Sequence, residues 1–207
     1  MKFITILFVL SFIITGLLCK PFLAERFNQI AQSKESKPDE ILQVIKSKIK
    51  PNQIIVDLGA GGGYFTLRFA KEVVPSGLVY AVDINQEYLN YIKEHAEKEQ
   101  IKNIRYILAN EDDSNLPDSI ADLIFIRNVF HHIENPEKYF IKLKTKLKPS
   151  GLVIIIDYLP EHAPSIGIKK HGTEPQIIFN IMKKAGYHLV DEYKILPKQS
   201  FFIFQIE

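Results

Sequence analysis

Short apolar runs alternate with amphipathic stretches along the chain, which predicts strands and helices in turn. Ile54 to Leu58 is an apolar run that ends in the turn Gly59-Ala60-Gly61-Gly62-Gly63. Helical spacing follows, carried by Phe65, Leu67, Phe69 and Ala70. A second run, Leu78 to Val82, ends on Asp83. Ile104 to Leu108, Leu123 to Ile126 and Leu152 to Ile156 are the next expected strands. The unbroken apolar character of the last suits a sheet buried on both faces.

Helix starts are marked by capping chemistry. Lys37-Pro38-Asp39-Glu40 places proline and acids in a first turn, with Ile41, Leu42, Val44, Ile45 and Ile49 on one face. Asn85 is the expected N-cap of a helix bearing Tyr88, Leu89 and Ile92. Asn135-Pro136 opens another helix, and Thr173 begins one that ends near Gly186. Tyr187 to Ile195 and Ser200 to Ile206 read as two final strands joined by Leu196-Pro197-Lys198-Gln199. So short a link demands an antiparallel pair. The expected fold is α/β, a doubly wound and mostly parallel sheet with an antiparallel last strand.

The start of the chain breaks this rhythm. Lys2 is followed by an almost wholly apolar run from Phe3 to Leu18, then Cys19, Lys20 and Pro21. That is the shape of a signal peptide, and it is short for a span, which needs about twenty residues. Residues 1–20 are therefore expected to be a signal peptide or membrane anchor. Cys19 at the end of the run suggests lipidation, although Leu18 stands where lipoprotein cleavage sites have a small residue. Lipoprotein, retained anchor and plain cleavage all stay open, so the chain is expected to be membrane-associated or exported. Residues 21–36 read as a linker with some helix, and 37–207 as the folded domain.

Composition narrows the function classes. A chain of 207 residues with 46% hydrophobic residues fits one domain with an ordinary core. Net charge of +2 gives no reason to expect a nucleic-acid partner. Lys142, Lys144, Lys146 and Lys148 spread around a helix surface and read as a solvated face. Cys19 is the sole cysteine, which excludes an intrachain disulfide and a cysteine-based zinc site.

The glycine turn between two strands carries the chemistry. Glycines let a backbone approach a ligand closely, and a carboxylate at the second strand's tip can accept both hydroxyls of a ribose. The dinucleotide fingerprint G-x-G-x-x-G is broken, however. Its third glycine would fall on Tyr64 or Thr66. Asp57, just before the turn, would repel a pyrophosphate and suits a cationic ligand. S-adenosylmethionine carries an ammonium and a sulfonium and no phosphate, so electrostatics favours it over a nicotinamide dinucleotide.

Five motifs in order resemble the class I S-adenosylmethionine-dependent methyltransferases, over roughly Pro38 to the C-terminus. Asp57-Leu58-Gly59-Ala60-Gly61-Gly62-Gly63-Tyr64 resembles their first motif, and Ala81-Val82-Asp83-Ile84 their ribose-binding motif. Asn110-Glu111-Asp112-Asp113-Ser114-Asn115-Leu116-Pro117 is similar to the acidic adenine-side motif. Ala121 to Ile126 followed by Asn128-Val129-Phe130-His131-His132-Ile133 resembles the fourth strand and its active-site loop. Leu147-Lys148-Pro149-Ser150-Gly151 matches the turn before the fifth strand. The nearest likeness is to small bacterial methyltransferases of undefined substrate, several with a leader peptide.

The resemblance implies a seven-stranded sheet of order 3-2-1-4-5-7-6 and S-adenosyl-L-methionine as cofactor. It places Asp57, Gly59, Ala60, Gly61, Gly63, Asp83, Ile84, Glu111, Asp112 and Asn128 at that cofactor. The departures are Gly62 where Thr or Ser is usual, Ala109 for a common Gly, and Arg127 near the active-site mouth. His131 and His132 follow the fourth strand, where a substrate would lie. Either could act as general base or serve in packing. Asp157 and Tyr158, at the fifth strand's tip, are substrate candidates by the strand-end rule. His132 has no Asp, Glu or His at a helical spacing, so no metal is expected, and His162 and His171 receive no role.

The expected reaction is in-line methyl transfer to an unidentified small-molecule acceptor. The alternatives are an NAD(P)-dependent oxidoreductase, or an envelope protein that binds S-adenosylmethionine without turnover.

Overall fold

The computed structural model describes residues 23–163 and 171–206. The apolar run 3–18 and Cys19 lie outside the described residues. No helix among the described residues is long and apolar enough to cross a membrane.

The sheet has seven strands: β1 (Ile54–Leu58), β2 (Leu78–Asp83), β3 (Ile104–Leu108), β4 (Ala121–Arg127), β5 (Leu147–Tyr158), β6 (Tyr187–Glu192) and β7 (Gln199–Ile206). Their order is β3-β2-β1-β4-β5-β7-β6. β1 to β5 pair in parallel, whereas β7 runs antiparallel to both β5 and β6. The order and the backward last strand are those expected above. β4 and β5 start earlier than the sequence suggested. Pairing jumps from Ala121–Leu147 to Leu123–Leu152, so the Lys148-Pro149-Ser150-Gly151 turn bulges out between two paired stretches.

Helices cover both faces: α1 (residues 23–32), α2 (Pro38–Lys46), α3 (Tyr64–Glu72), α4 (Gln86–Lys98), α5 (Pro136–Lys144) and α6 (Pro175–Lys184). Alternate strand residues point to opposite faces. Ile55, Phe125, Ile154 and Ile203 pack with Ile41, Phe69 and Ile92 of α2, α3 and α4. Val56, Ile124, Ile155 and Phe204 pack with Phe140 and Met182 of α5 and α6 on the other side. Asn85 caps α4, its side chain accepting from the Glu87 amide. Asn135 occupies the cap position of α5 without a side-chain cap bond.

Of the stretch 21–36 read as a linker with some helix, residues 23–36 are described and are largely helical. Residues 23–32 form α1, and Lys34–Ser36 form a 3-10 turn. Ala24 is fully buried, and a Cβ on Gly62 would lie 2.2 Å from the Ala24 carbonyl oxygen and 2.6 Å from the Asn28 nitrogen. The missing side chain at Gly62 is what lets the α1 backbone rest on the glycine turn. The contact of α1 with the domain is made by Ala24, Ala31, the helix backbone and the Phe27 ring, which meets Tyr88 edge-on.

Candidate functional site

The site is assembled at the C-terminal tips of β1, β2, β4 and β5. β1 leads directly into the glycine turn, where Gly59 and Gly61 adopt φ of +75° and +53°. The amides of Gly59 and Ala60 both donate to the Val82 carbonyl, at 2.8 and 3.1 Å. The Gly61 amide donates to Asp83 Oδ2 at 2.9 Å, and the Asn85 amide to Asp83 Oδ1 at 2.9 Å. The turn is thus stitched to the tip of β2.

Asp83 is buried, and that burial raises its carboxyl pKa against the opposing pull of the Gly61, Asn85 and Ile84 amides. A carboxylate has about four lone-pair sites, so three amides leave it acceptor capacity. Ile84, the next residue, is 62% exposed. An acid with acceptor capacity beside an unburied aliphatic surface fits a ribose and a flat purine. The Asp83→Ala variant is expected to weaken cofactor binding by about 1.5–3 kcal/mol, the scale of losing hydrogen bonds to a charged group. Its cooperative melt should survive. An unchanged dissociation constant by calorimetry would remove Asp83 from the site.

Asp57 lies behind the turn. It is buried, and its Oδ2 accepts from the Thr66 hydroxyl of α3 at 2.5 Å. Burial pushes its pKa up to about 7, opposed by the Thr66 hydroxyl and reinforced by Asp83. Between the ordinary carboxylate range and about pH 7, the folded protein keeps a proton on Asp57 that the unfolded chain has lost. Folding then takes up a proton, so Asp57's contribution falls as pH rises through this window. The ligand-free melting temperature is expected to drop between about pH 5 and about pH 8, and Asp57→Asn should flatten that dependence. An unchanged slope in Asp57→Asn would assign the effect elsewhere.

At β4, Arg127 and Asn128 are bound to structural partners. Asn128, with φ +57°, accepts from Gln199 Nε2 at 2.5 Å. Its side-chain oxygen, expected at the cofactor, is held by β7. Arg127 Nη2 donates to the Ser36 carbonyl at 3.0 Å and to Gln199 Oε1 at 3.3 Å, and its guanidinium lies over the Phe65 ring. Burial lowers its pKa to about 10, and its Nε has no hydrogen-bond partner among the described residues. Arg127 therefore ties the 3-10 turn after α1 to the sheet.

Beyond Asn128, a 3-10 turn, Phe130–His132, is anchored by buried Phe130 stacked on Phe140. His131 Nδ1 lies 2.7 Å from Asp157 Oδ1. A carboxylate only accepts, so Nδ1 carries the proton and Nε2 presents its lone pair. The Thr173 hydroxyl donates to Asp157 Oδ2 at 2.9 Å, and Asp157 is fully buried. Asp157 was expected to face substrate, but it has no accessible surface and orients His131 instead. Tyr158 lines a cavity of about 210 Å³ with Ile30, Ser33, Ser36, Leu196 and Gln199.

The adenine-side acids differ most from expectation. Glu111 and Asp112 are exposed, and Asp112 pairs with Lys142 of α5 at 3.0 Å, which holds its carboxyl below the usual range. Both line a separate cavity of about 210 Å³ beside Glu134, Asn135 and Tyr139. The lysine takes one oxygen of Asp112, and the other stays open to an adenine amine. Residues missed from sequence are Thr66, Thr173, Gln199, Val129 and His171. Only Thr66, one turn into a helix after an acid-glycine motif, had a local signal.

Comparisons with known proteins agree with this geometry. The sequence model of the family described as Methyltransferase domain matches residues 49–192. A ubiquinone/menaquinone biosynthesis C-methyltransferase UbiE from Hydrogenovibrio crunogenus is 28% identical over 147 residues, 70% of this chain and 56% of that protein. The Vibrio parahaemolyticus UbiE is 30% identical over 113 residues, 54% and 44% respectively. The chain thus spans about half the length of these curated relatives. A SAM-dependent methyltransferase structure from Aquifex aeolicus is 27% identical with TM-score 0.72, covering 80% of this chain and 88% of that one. The PH0226 protein of Pyrococcus horikoshii shares the fold at 17% identity, TM-score 0.73, with 85% and 92% covered.

Proposed function

We propose, from the premise that this chain belongs to the methyltransferase domain family, that it methylates a small acceptor held beside the tips of β4 and β5. The observation that carries this reading is Asp83, buried at the tip of β2 and hydrogen-bonded to the glycine turn. S-adenosylmethionine, when bound, supplies an electrophilic methyl group on a sulfonium. The glycine turn and Asp83 would hold its nucleoside, Ile84 would cover the base, and Asp57 would lie beneath its cationic end, negative once it loses its proton above about pH 7.

The chain's own contribution is alignment and proton removal. A well-oriented displacement draws most of its acceleration from proximity. His131, fixed in one tautomer by Asp157, presents Nε2 to accept a proton from an acceptor that arrives protonated. Thr173 holds Asp157 in place. The C-methyltransferase names of the relatives make a carbon nucleophile activated by an acidic hydroxyl the first acceptor class to test. The dinucleotide alternative gains no support. Tyr64 and Thr66, where a third glycine would stand, are both buried in α3. Incubation with radiolabelled S-adenosylmethionine and a panel of phenols, quinols, thiols and amines is expected to label one class, and Asp83→Ala should lower the label at limiting cofactor. No S-adenosylhomocysteine above the acceptor-free background would contradict the reading.

The run 3–18 attaches the chain to a membrane in this reading, supported by the sequence pattern alone. Fractionation with a Cys19→Ala variant beside the wild type separates the routes. Loss of processing in the variant marks lipidation, unchanged membrane-bound size marks an anchor, and a shortened periplasmic product marks plain cleavage. A full-length product wholly in the soluble cytoplasm would contradict all three.

A further inference from the structure

Three histidines converge beside the acceptor position. His131 and His132 come from the turn after β4, and His171 from the stretch leading into α6. One ring nitrogen from each lies within 4.8 Å of the others. The ring centroids are 4.1 Å apart for His131 and His132, 5.6 Å for His131 and His171, and 5.4 Å for His132 and His171. The His131 side chain is only 5% exposed, His171 is half-buried and His132 is exposed.

The orientation of His131 adds an independent observation. Metal-bound histidines usually donate their second ring nitrogen to a carboxylate, which fixes the tautomer and strengthens the ligand. Asp157 takes the Nδ1 proton of His131 in this way and is itself held by Thr173. A buried carboxylate locked by two donors, behind an imidazole that faces two more imidazoles, is the layout of a metal ligand with its supporting shell.

We propose that His131, His132 and His171 bind one divalent transition-metal ion of the zinc class, with a fourth coordination position open toward the acceptor. Imidazole donors select zinc, copper and nickel over magnesium or calcium. Three protein ligands and one open position are the pattern of catalytic zinc sites, whereas structural sites are closed by four. Zinc–nitrogen bonds of about 2.0–2.1 Å place tetrahedral ligand atoms closer together than the 4.8 Å limit, so binding draws the three rings inward.

The role of the ion rests on the methyl-transfer reading and replaces proton acceptance by His131, because with Nδ1 on Asp157 its Nε2 is the ligand atom and has no lone pair left for the acceptor's proton. A hydroxyl or thiol acceptor at the open position loses its proton to solvent more readily beside the cation. The resulting anion attacks the sulfonium methyl. The new bond is acceptor–CH3, the S–CH3 bond breaks, and its electron pair stays on sulfur as a neutral thioether. No oxidant or reductant enters.

The test uses the untagged full chain in mild detergent, stripped with chelator and titrated with Co²⁺. One equivalent is expected to bind and give the visible absorption of a tetrahedral site, which Zn²⁺ bleaches in competition. Added azide is expected to shift the spectrum by occupying the open position. His171→Ala, outside the strands and helices, is expected to weaken Co²⁺ binding at least about 100-fold while the melt is kept. His162→Ala should leave it unchanged. Absence of stoichiometric uptake, or equal affinity in His171→Ala, would overturn the site. A spectrum indifferent to azide would overturn the open position. Co²⁺ uptake is read without cofactor, so failure of S-adenosylhomocysteine to bind the same sample would count against methyl transfer alone.

Discussion

Replacing Gly59 by alanine is expected to raise the dissociation constant for S-adenosylhomocysteine about 100-fold while leaving the sheet folded. Gly59 sits at φ +75°, where an added Cβ costs roughly 1–2 kcal/mol. That Cβ would also fall 2.2 Å from Val129 Cγ2, in the segment that joins β4 to the histidine turn. Overpacking of this kind costs about 1–3 kcal/mol. The two strains add to the scale of a 100-fold change, about 2.8 kcal/mol. The turn is expected to relieve them by moving, which re-aims the Gly61 amide away from Asp83. The double variant Gly59→Ala, Val129→Ala separates the two causes. It should recover the clash component and keep the backbone penalty. Full recovery would show that the positive φ is not needed, and full affinity in the single variant would remove the turn from the site.

Loss of the His131 imidazole is expected to lower kcat about 10²–10⁴-fold, the range for a positioned proton acceptor, with cofactor affinity unchanged. Asp157→Asn should approach the same loss. An amide in that position can donate to Nδ1, which reverses the tautomer and turns the Nε2 lone pair into an N–H. Thr173→Val removes the second bond to Asp157 and should cost less than either. The order His131→Ala, Asp157→Asn, Thr173→Val follows distance from the acceptor along the chain of hydrogen bonds. Wild-type turnover in His131→Ala on the enzyme's own acceptor would contradict the assignment.

What the sequence made legible is local. Ile54 to Asp83 reads correctly because strand, turn, helix and strand follow one another, and each announces itself by periodicity or by glycine. The buried strands read correctly because a doubly covered sheet needs unbroken apolar runs. The sheet order came from the resemblance, since periodicity cannot rank strands that never touch in sequence.

What stayed hidden depends on partners remote in the chain. Gly62 reads as a departure from the family pattern, and its reason is the α1 backbone lying on it. α1 shows only a narrow inward face, because Ala24, Ala31 and the edge of Phe27 against Tyr88 supply the contact while Leu23 and Ile30 stay substantially exposed. Counting back from Leu116-Pro117 finds Asp112 but cannot see Lys142 arriving from α5. Arg127 looked like a substrate-site oddity, and its partners, Ser36 and Gln199, lie at opposite ends of the chain. His171 gave no signal, since its neighbours His131 and His132 are brought to it only by the closing of β5 against β4.

One calorimetric comparison tests the cofactor assignment most directly. A chain beginning at residue 21 is titrated with S-adenosylhomocysteine and, separately, with NAD. Saturable binding of one S-adenosylhomocysteine per chain is expected, weakened in Asp83→Ala, with no heat from NAD. Saturable NAD binding with no response to S-adenosylhomocysteine would contradict it.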